Sequence, residues 1–297
     1  MRTEACRNFP DFFIIGAPKC GTTSVYDFLR AHPAAFMPKF KEPQYFCSDL
    51  TEVQQIKTES RYLSLFNRAK RDQIIGEASV WYLYSKAAVQ AILVKNPNAK
   101  FIVVLRDPLK AVISFHNNSV ISLVEKHEDF AEAWGEHKRN AGTPMTDYSG
   151  VYKFAEQLER LYMLVPKQQV KIVLLEQLKA NPEDHYNSIT DFIGLPRRAV
   201  IDYPHMNAAR QWDNQMVRRY LINPQPSVRA AMQLFKRTFN ALGIKPLIAL
   251  QWLFTTAGEN KPLADSFRQI LKCEFAQDVS RLKKEFGLSI GKLWPEY

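Results

Sequence analysis

Residues 12–24 read Phe-Phe-Ile-Ile-Gly-Ala-Pro-Lys-Cys-Gly-Thr-Thr-Ser. The stretch 12–17 is short, apolar and rich in branched and aromatic side chains, which predicts a buried parallel strand. A helix is predicted from about residue 22 to 31, where His32-Pro33 stops it. Residues 16–23 therefore form a loop that leads a strand into a helix N-terminus. Backbone N–H groups at such a terminus bind phosphate, helped by the helix dipole. Gly16 and Gly21 allow the tight path that aims those groups at an anion. Pro18, Lys19 and Cys20 lie between them; Lys19 supplies a positive charge, and Thr22, Thr23 and Ser24 add hydroxyls. A nucleotide-triphosphatase loop has its lysine directly after the second glycine. Here Thr22 holds that position and the lysine lies ahead, at 19.

Outward from this loop, strands alternate with helices. Strands are expected at 73–76, 100–105 (Lys-Phe-Ile-Val-Val-Leu) and 170–175. Helices are expected at 85–95, at 108–123 after the Asp107-Pro108 start, at 149–165, at 181–193 up to Gly194, and at 262–286. The alternation predicts an α/β, P-loop-like, three-layer fold with a central parallel sheet flanked by helices and a helical C-terminal region. One domain is expected over residues 1–297, with 197–260 as a helical insertion or lid. Within that stretch, Val228, Met232, Phe235, Phe239 and Leu242 mark a basic amphipathic helix over 227–242.

The net charge is +10, and it is uneven: residues 197–297 carry 16 Lys and Arg against 8 Asp and Glu. Such a surface suits a phosphate- or sulfate-rich partner and weak contact with an anionic membrane surface. No helix-turn-helix, zinc or ribonucleoprotein motif points to nucleic acid. Cys6, Cys20, Cys47 and Cys273 have no metal-ligand or disulfide spacing, so no metal site is expected. Reduced thiols, the absence of a leader-like N-terminus and apolar runs short of the roughly 20 residues of a membrane span predict a cytoplasmic protein.

The run Ile14-Ile-Gly-Ala-Pro-Lys-Cys-Gly-Thr-Thr-Ser24 resembles the 5′-phosphosulfate loop of sulfotransferases. Those enzymes use 3′-phosphoadenosine 5′-phosphosulfate (PAPS) and release 3′-phosphoadenosine 5′-phosphate (PAP). The resemblance implies a P-loop-like fold and sulfuryl transfer that requires no metal. It implies that Pro18 through Ser24 bind the 5′ side, and that Arg106 and Ser114, eight residues apart, bind the 3′-phosphate. Eight residues is just over two helical turns, and arginine suits phosphate through bidentate bonds. Lys41-Glu42-Pro-Gln-Tyr-Phe46 is similar to the Lys-Glu-Pro-His-Phe-Phe run of heparan and related carbohydrate sulfotransferases, whose glutamate is the base. Carried over, Glu42 is the general base, Lys19 is the catalytic cation and Lys41 positions cosubstrate or acceptor. Those relatives continue with Glu-Lys-Thr-Pro-Ser-Tyr, whereas this chain has Glu77-Ala-Ser-Val-Trp-Tyr82 and so lacks that lysine. Phenol and steroid sulfotransferases use a histidine base, which makes His116 the reserve candidate.

Trp81, Tyr82, Tyr152 and Trp212 are expected to contact the acceptor, and Trp252 and the 203–207 segment also fall in the C-terminal third. The expected acceptor is a hydroxyl, N-hydroxyl or amine of a small metabolite or natural product. The alternatives are a carbohydrate O- or N-sulfotransferase, a variant P-loop kinase or nucleotide triphosphatase, and a non-catalytic nucleotide-binding protein.

Overall fold

The computed structural model describes residues 9–139, 143–197, 210–213, 218, 221, 255–257 and 263–297. The decisive stretch forms β1 (Phe12–Gly16) and α1 (Thr22–Arg30), with every residue of β1 buried. Then follow β2 (Ala35–Phe36), α2 (Glu59–Ser64), β3 (Ile74–Ala78), α3 (Ala88–Lys95), β4 (Lys100–Leu105), α4 (Pro108–Ile121) and α5 (Phe130–Arg139). After a 3-10 turn at Gly150–Tyr152 come α6 (Phe154–Leu164), β5 (Val170–Leu174), α7 (Leu175–Ala180) and α8 (Pro182–Ile193). The C-terminal part contains β6 (Arg210–Trp212), β7 (Thr255–Ala257) and α9 (Asp265–Lys284).

The main sheet has the order β2-β3-β1-β4-β5, and every pairing is parallel. Its two faces follow the period of two along each strand. Phe12, Ile14, Ile102 and Val104 join Val25, Leu29, Tyr186 and Ile189 from α1 and α8 in one core layer. Phe13 and Phe101 stack with centroids 6.0 Å apart on the other face, where Phe13 meets Phe46, which in turn meets Tyr62 of α2. This is the three-layer arrangement expected from the alternation.

The chain leaves β1 toward β3 on one side and resumes at β4 on the other. The crevice beyond the carboxyl ends of β1 and β4 is thus the topological switch point, where open parallel sheets bind ligands. Both the loop after β1 and Arg106 after β4 lie at those ends.

The described residues group into two compact units, Met1–Ala111 with Ser149–Met206 and Arg268–Tyr297, and Val112–Tyr148 with Asn207–Phe267. The first contains the main sheet. In the second, α5 buries Phe130 and Trp134 against Phe267, and β6 pairs antiparallel with β7. Arg218 is buried there, donating to the Glu128 carboxylate at 2.6 Å and to the carbonyls of Glu125 and Lys126.

Several boundaries differ from expectation for identifiable reasons. The helix expected from 85 starts at Ala88, because the Ser85 hydroxyl accepts the N–H groups of Ala87 and Ala88. The helix expected over 149–165 divides, and α6 starts where both carboxylate oxygens of Asp278 accept the Ala155 N–H at 3.0 and 3.1 Å. Helices α2, α5 and α7 and strands β2, β6 and β7 are additional. The helix expected at 227–242, Trp252, the 203–207 segment and most of the 197–260 insertion lie outside the described residues. Among the described residues, no helix is long and apolar enough to cross a membrane.

Candidate active site

The loop after β1 is anchored through its carbonyls. Ala17 N–H donates to Val104 of β4 at 2.8 Å, while the Ala17 carbonyl accepts from Cys20 N–H. The Pro18 carbonyl accepts the Tyr152 hydroxyl at 3.1 Å, and the Lys19 carbonyl accepts Arg106 Nη1 at 3.2 Å. Thr22 and Thr23 open α1, so their N–H groups have no intrahelical acceptor, and no side chain caps Gly21. Gly21 has φ 93°, and a Cβ there would lie 2.5 Å from Leu175 Cδ1. Only glycine suits both the left-handed backbone and that contact. Lys19 is also left-handed, at φ 59°. Strained conformations of this kind persist where surrounding structure over-determines them.

Cations gather at this terminus. Burial, then the neighbouring Arg106 guanidinium, hold Lys19 below its ordinary lysine value, with Glu42 opposing. Lys41 Nζ donates to Thr23 Oγ1 at 2.7 Å and pairs with Glu42 Oε1 at 3.2 Å. Cys20 is buried, and burial pushes its thiol far above the usual range, which makes it an inert wall.

Glu42 sits on a turn with unusual backbone: Glu42 has φ 62° and Gln44 φ 50°. Alternate N–H groups of the turn dock on the end of β3 and the residues after it. Glu42 N–H donates to Ala78 O at 2.9 Å, Gln44 N–H to Ser79 Oγ at 3.0 Å, and Phe46 N–H to the Tyr82 hydroxyl at 3.4 Å. Behind them lies Glu77, fully buried, whose Oε2 accepts the hydroxyls of Tyr62 at 3.0 Å and Tyr82 at 2.9 Å. Burial raises its carboxyl to about 7, against the hydrogen bonds of Ser79, Tyr82 and Tyr62.

At the end of β4, Asp107 Oδ1 caps α4 by accepting Leu109 N–H at 3.0 Å. Glu176 braces the same turn. Its two oxygens accept Asp107 N–H at 3.2 Å and the Trp294 indole at 3.1 Å. Ser114 lies on α4 in the second unit.

His116 also lies in the second unit. It is buried, with Nε2 3.0 Å from the His127 carbonyl and its ring stacked on Phe130 at 4.6 Å. Burial lowers its proton affinity. Trp81, Tyr82 and Tyr152 are buried, and the hydroxyls of the two tyrosines are committed to Glu77 and Pro18. Both rings are fully buried, so the contribution of these tyrosines in this structure is to hold Glu77 and the Pro18 carbonyl. Trp212 belongs to β6. Sequence reasoning missed Glu77, Tyr62, Glu176 and Trp294 as supports. The available signal was a glutamate inside the apolar strand pattern at 74–78.

The chain is 29% identical over 198 residues to mouse heparan sulfate glucosamine 3-O-sulfotransferase 3A1, covering 65% of this chain and 48% of that protein. It is 26% identical to human carbohydrate sulfotransferase 15, over 79% of this chain and 53% of the relative. The chain thus spans about half the length of these curated relatives. A sulfotransferase crystal structure from Alicyclobacillus acidocaldarius superposes with TM-score 0.61 at 26% identity, covering 76% of this chain and 90% of that one. The sulfotransferase domain model matches residues 9–220. With a glycine-bearing strand-to-helix loop at the switch point of a parallel sheet and the family's domain spanning both, this chain belongs to the sulfotransferase family.

Proposed function

We propose that this chain transfers the sulfuryl group of PAPS to a hydroxyl of a small metabolite or natural product. The observation that carries the proposal is the convergence of Lys19, Lys41 and Arg106 on the N-terminus of α1, with Glu42 joined to that cluster through Lys41. Crowded cations lower one another's proton affinity, and an anionic ligand relieves them. The residues fit PAPS on that ground. The N–H groups of Thr22 and Thr23 and the Lys19 ammonium hold the 5′-phosphate. Arg106 holds the 3′-phosphate, with Ser114 assigned to it by the resemblance.

In the reaction, the bond from sulfur to the 5′-phosphate oxygen breaks as the bond from sulfur to the acceptor oxygen forms. Lys19 neutralises the charge that develops on the departing oxygen. Glu42 takes the acceptor's proton. Its side chain is 37% exposed, whereas His116 is buried with a ring nitrogen on a carbonyl, which favours Glu42 as the base. Lys41 bridges Glu42 Oε1 and Thr23 Oγ1, which places the base beside the phosphate loop. The carbohydrate acceptor is a second reading, favoured by the resemblance of the Lys41–Phe46 run to carbohydrate enzymes.

Calorimetric titration with PAP, followed by a labelled-sulfate screen over small hydroxylated metabolites and glucosamine-containing sugars, tests the proposal. Wild type should bind PAP, and absence of binding would refute the proposal. Lys19→Ala and Glu42→Ala should each lower turnover by at least ~10²-fold, the scale of losing one charge stabiliser or general base.

A further inference from the structure

A buried carboxyl needs a reason. Taking Glu77 out of water costs several kcal/mol unless hydrogen bonds compensate, and an apolar side chain would pack between Phe13 and Tyr62 at no such cost. Glu77 pairs with Phe13 in the β1–β3 register, so it lies in the core of the sheet, away from solvent. Its Oε2 accepts two tyrosine hydroxyls, the Ser79 hydroxyl adds to the stabilisation of the carboxylate, and Oε1 is buried without a hydrogen-bond partner among the described residues.

What Glu77 does follows from the direction of these bonds. A tyrosine hydroxyl has one proton to donate and lone pairs to accept with. Tyr82 gives its proton to Glu77, which leaves its oxygen as acceptor for Phe46 N–H. Phe46 is the last of three alternate residues, 42, 44 and 46, by which the turn grips the residues following Glu77. Two of those three, Glu42 and Gln44, are left-handed without being glycine. Each such residue costs roughly 1–2 kcal/mol, so the turn keeps its shape only through external bonds. Tyr62 adds to the clamp: its hydroxyl is on Glu77, and its ring stacks on Tyr45 with centroids 4.5 Å apart.

We propose that Glu77 is a positioning residue that, through Tyr82 and Tyr62, fixes the turn presenting Glu42 to the acceptor. The proposal rests on Glu42 being the base. Phosphate-loop contacts do not pass through Glu77, so its loss should affect the chemical step and spare cosubstrate binding.

Hydrolysis of PAPS to PAP and sulfate, with water as the acceptor, gives kcat, and calorimetry with PAP gives Kd. Glu77→Leu cannot accept from Tyr82, and kcat should fall about tenfold to 10²-fold, the scale of a misplaced catalytic group. Its Kd for PAP should stay within about twofold, because uniform binding is untouched. Glu77→Gln still offers a carbonyl oxygen and should recover most of the loss. Tyr82→Phe should lose about as much as Glu77→Leu, and the double variant no more than either, as expected of groups acting as one unit. Wild-type kcat in Glu77→Leu, additive losses in the double variant, or a loss confined to PAP affinity would overturn the proposal. Should Glu77→Leu fail to fold, judged by thermal unfolding, the pair Glu77→Gln and Tyr82→Phe decides by the same split between kcat and Kd. Glu42→Gln is the separate arm: wild-type hydrolysis there removes the base assignment, whereas inactive Glu42→Gln beside fully active Glu77→Leu removes only the role of Glu77.

Discussion

Substituting Gly21 by alanine tests whether the phosphate loop has the shape described. Two costs are separable. Gly21 has φ 93° and ψ 15°, and an L-residue there costs about 1–2 kcal/mol. The added Cβ would stand 2.5 Å from Leu175 Cδ1, too close for van der Waals contact. Leu175 is 1% exposed and packed in the core layer beside α1, so its methyl has little room to retreat. Overpacking of this kind costs about 1–3 kcal/mol. Gly21→Ala should therefore destabilise the protein by about 2–5 kcal/mol in urea unfolding, and it should weaken PAP binding in calorimetry. Leu175→Ala opens space for the new methyl. The double variant should be more stable than the sum of the single losses by about the overpacking part, while the backbone part remains. Gly21→Ala within about 0.5 kcal/mol of wild type, the scatter of neutral surface changes, would show that the loop does not follow this path.

Tyr152→Phe removes the hydroxyl that holds the Pro18 carbonyl; it should cost about 1 kcal/mol in unfolding experiments and loosen PAP binding measurably. Glu77 makes stability pH-dependent. Its carboxyl is raised by burial from an ordinary 4.5 to about 7 in the folded protein, so the folded state holds that proton more tightly than the unfolded chain. The associated stability is complete below pH 4.5 and is lost as pH rises through 7, by on the order of 3 kcal/mol. Urea midpoints across that range should fall for wild type and lose most of the slope in Glu77→Gln. Asp278, pushed by burial to about 6, has the same sign, and Asp278→Asn should flatten the slope that Glu77→Gln leaves at the acidic end.

The parts legible in the sequence are those whose signal is local. Strands β1 and β4 are apolar runs, and burial on both faces is what such runs encode, whereas the edge strand β5 is legible from its branched residues although only Val173 and Leu174 are buried. Helix α1 was legible because a glycine opens it and His32-Pro33 follows its end. The start of α6 was not legible, since its cap is Asp278, 123 residues downstream. Nor was the short β2, which exists only because Ile74 N–H and the Gln73 side chain bind the 33–35 segment. Tyr82 and Tyr152 read as acceptor contacts because an aromatic side chain with a polar tip suits both a pocket and a core. The partners that their hydroxyls take, Glu77 and Pro18, carry no signal in the local sequence.

The same division explains why the phosphate loop alone could not define the site. Residues 18–24 specify an anion and a lysine, but the loop's carbonyls are held by Tyr152 and Arg106, from distant parts of the chain. The proposed base, Glu42, comes from a third segment, tied to the loop by the Lys41–Thr23 bond and to β3 and the residues after it by the docking of Glu42, Gln44 and Phe46. Apart from the Lys41–Thr23 bond on the first turn of α1, these ties lie at or within a few residues of the carboxyl ends of β1, β3 and β4. A lysine placed before the helix, instead of on its first turn, suits this arrangement. At position 19 its carbonyl accepts from Arg106 while its ammonium is within electrostatic reach of Glu42, so one residue lies between the two side chains proposed as 3′-phosphate anchor and base. A lysine at position 22 would begin α1 itself, at a site that is buried and occupied by Thr22. On the proposed mechanism, a lysine at 19 therefore stands between the anion site and the base, where a lysine on the first turn of α1 would not.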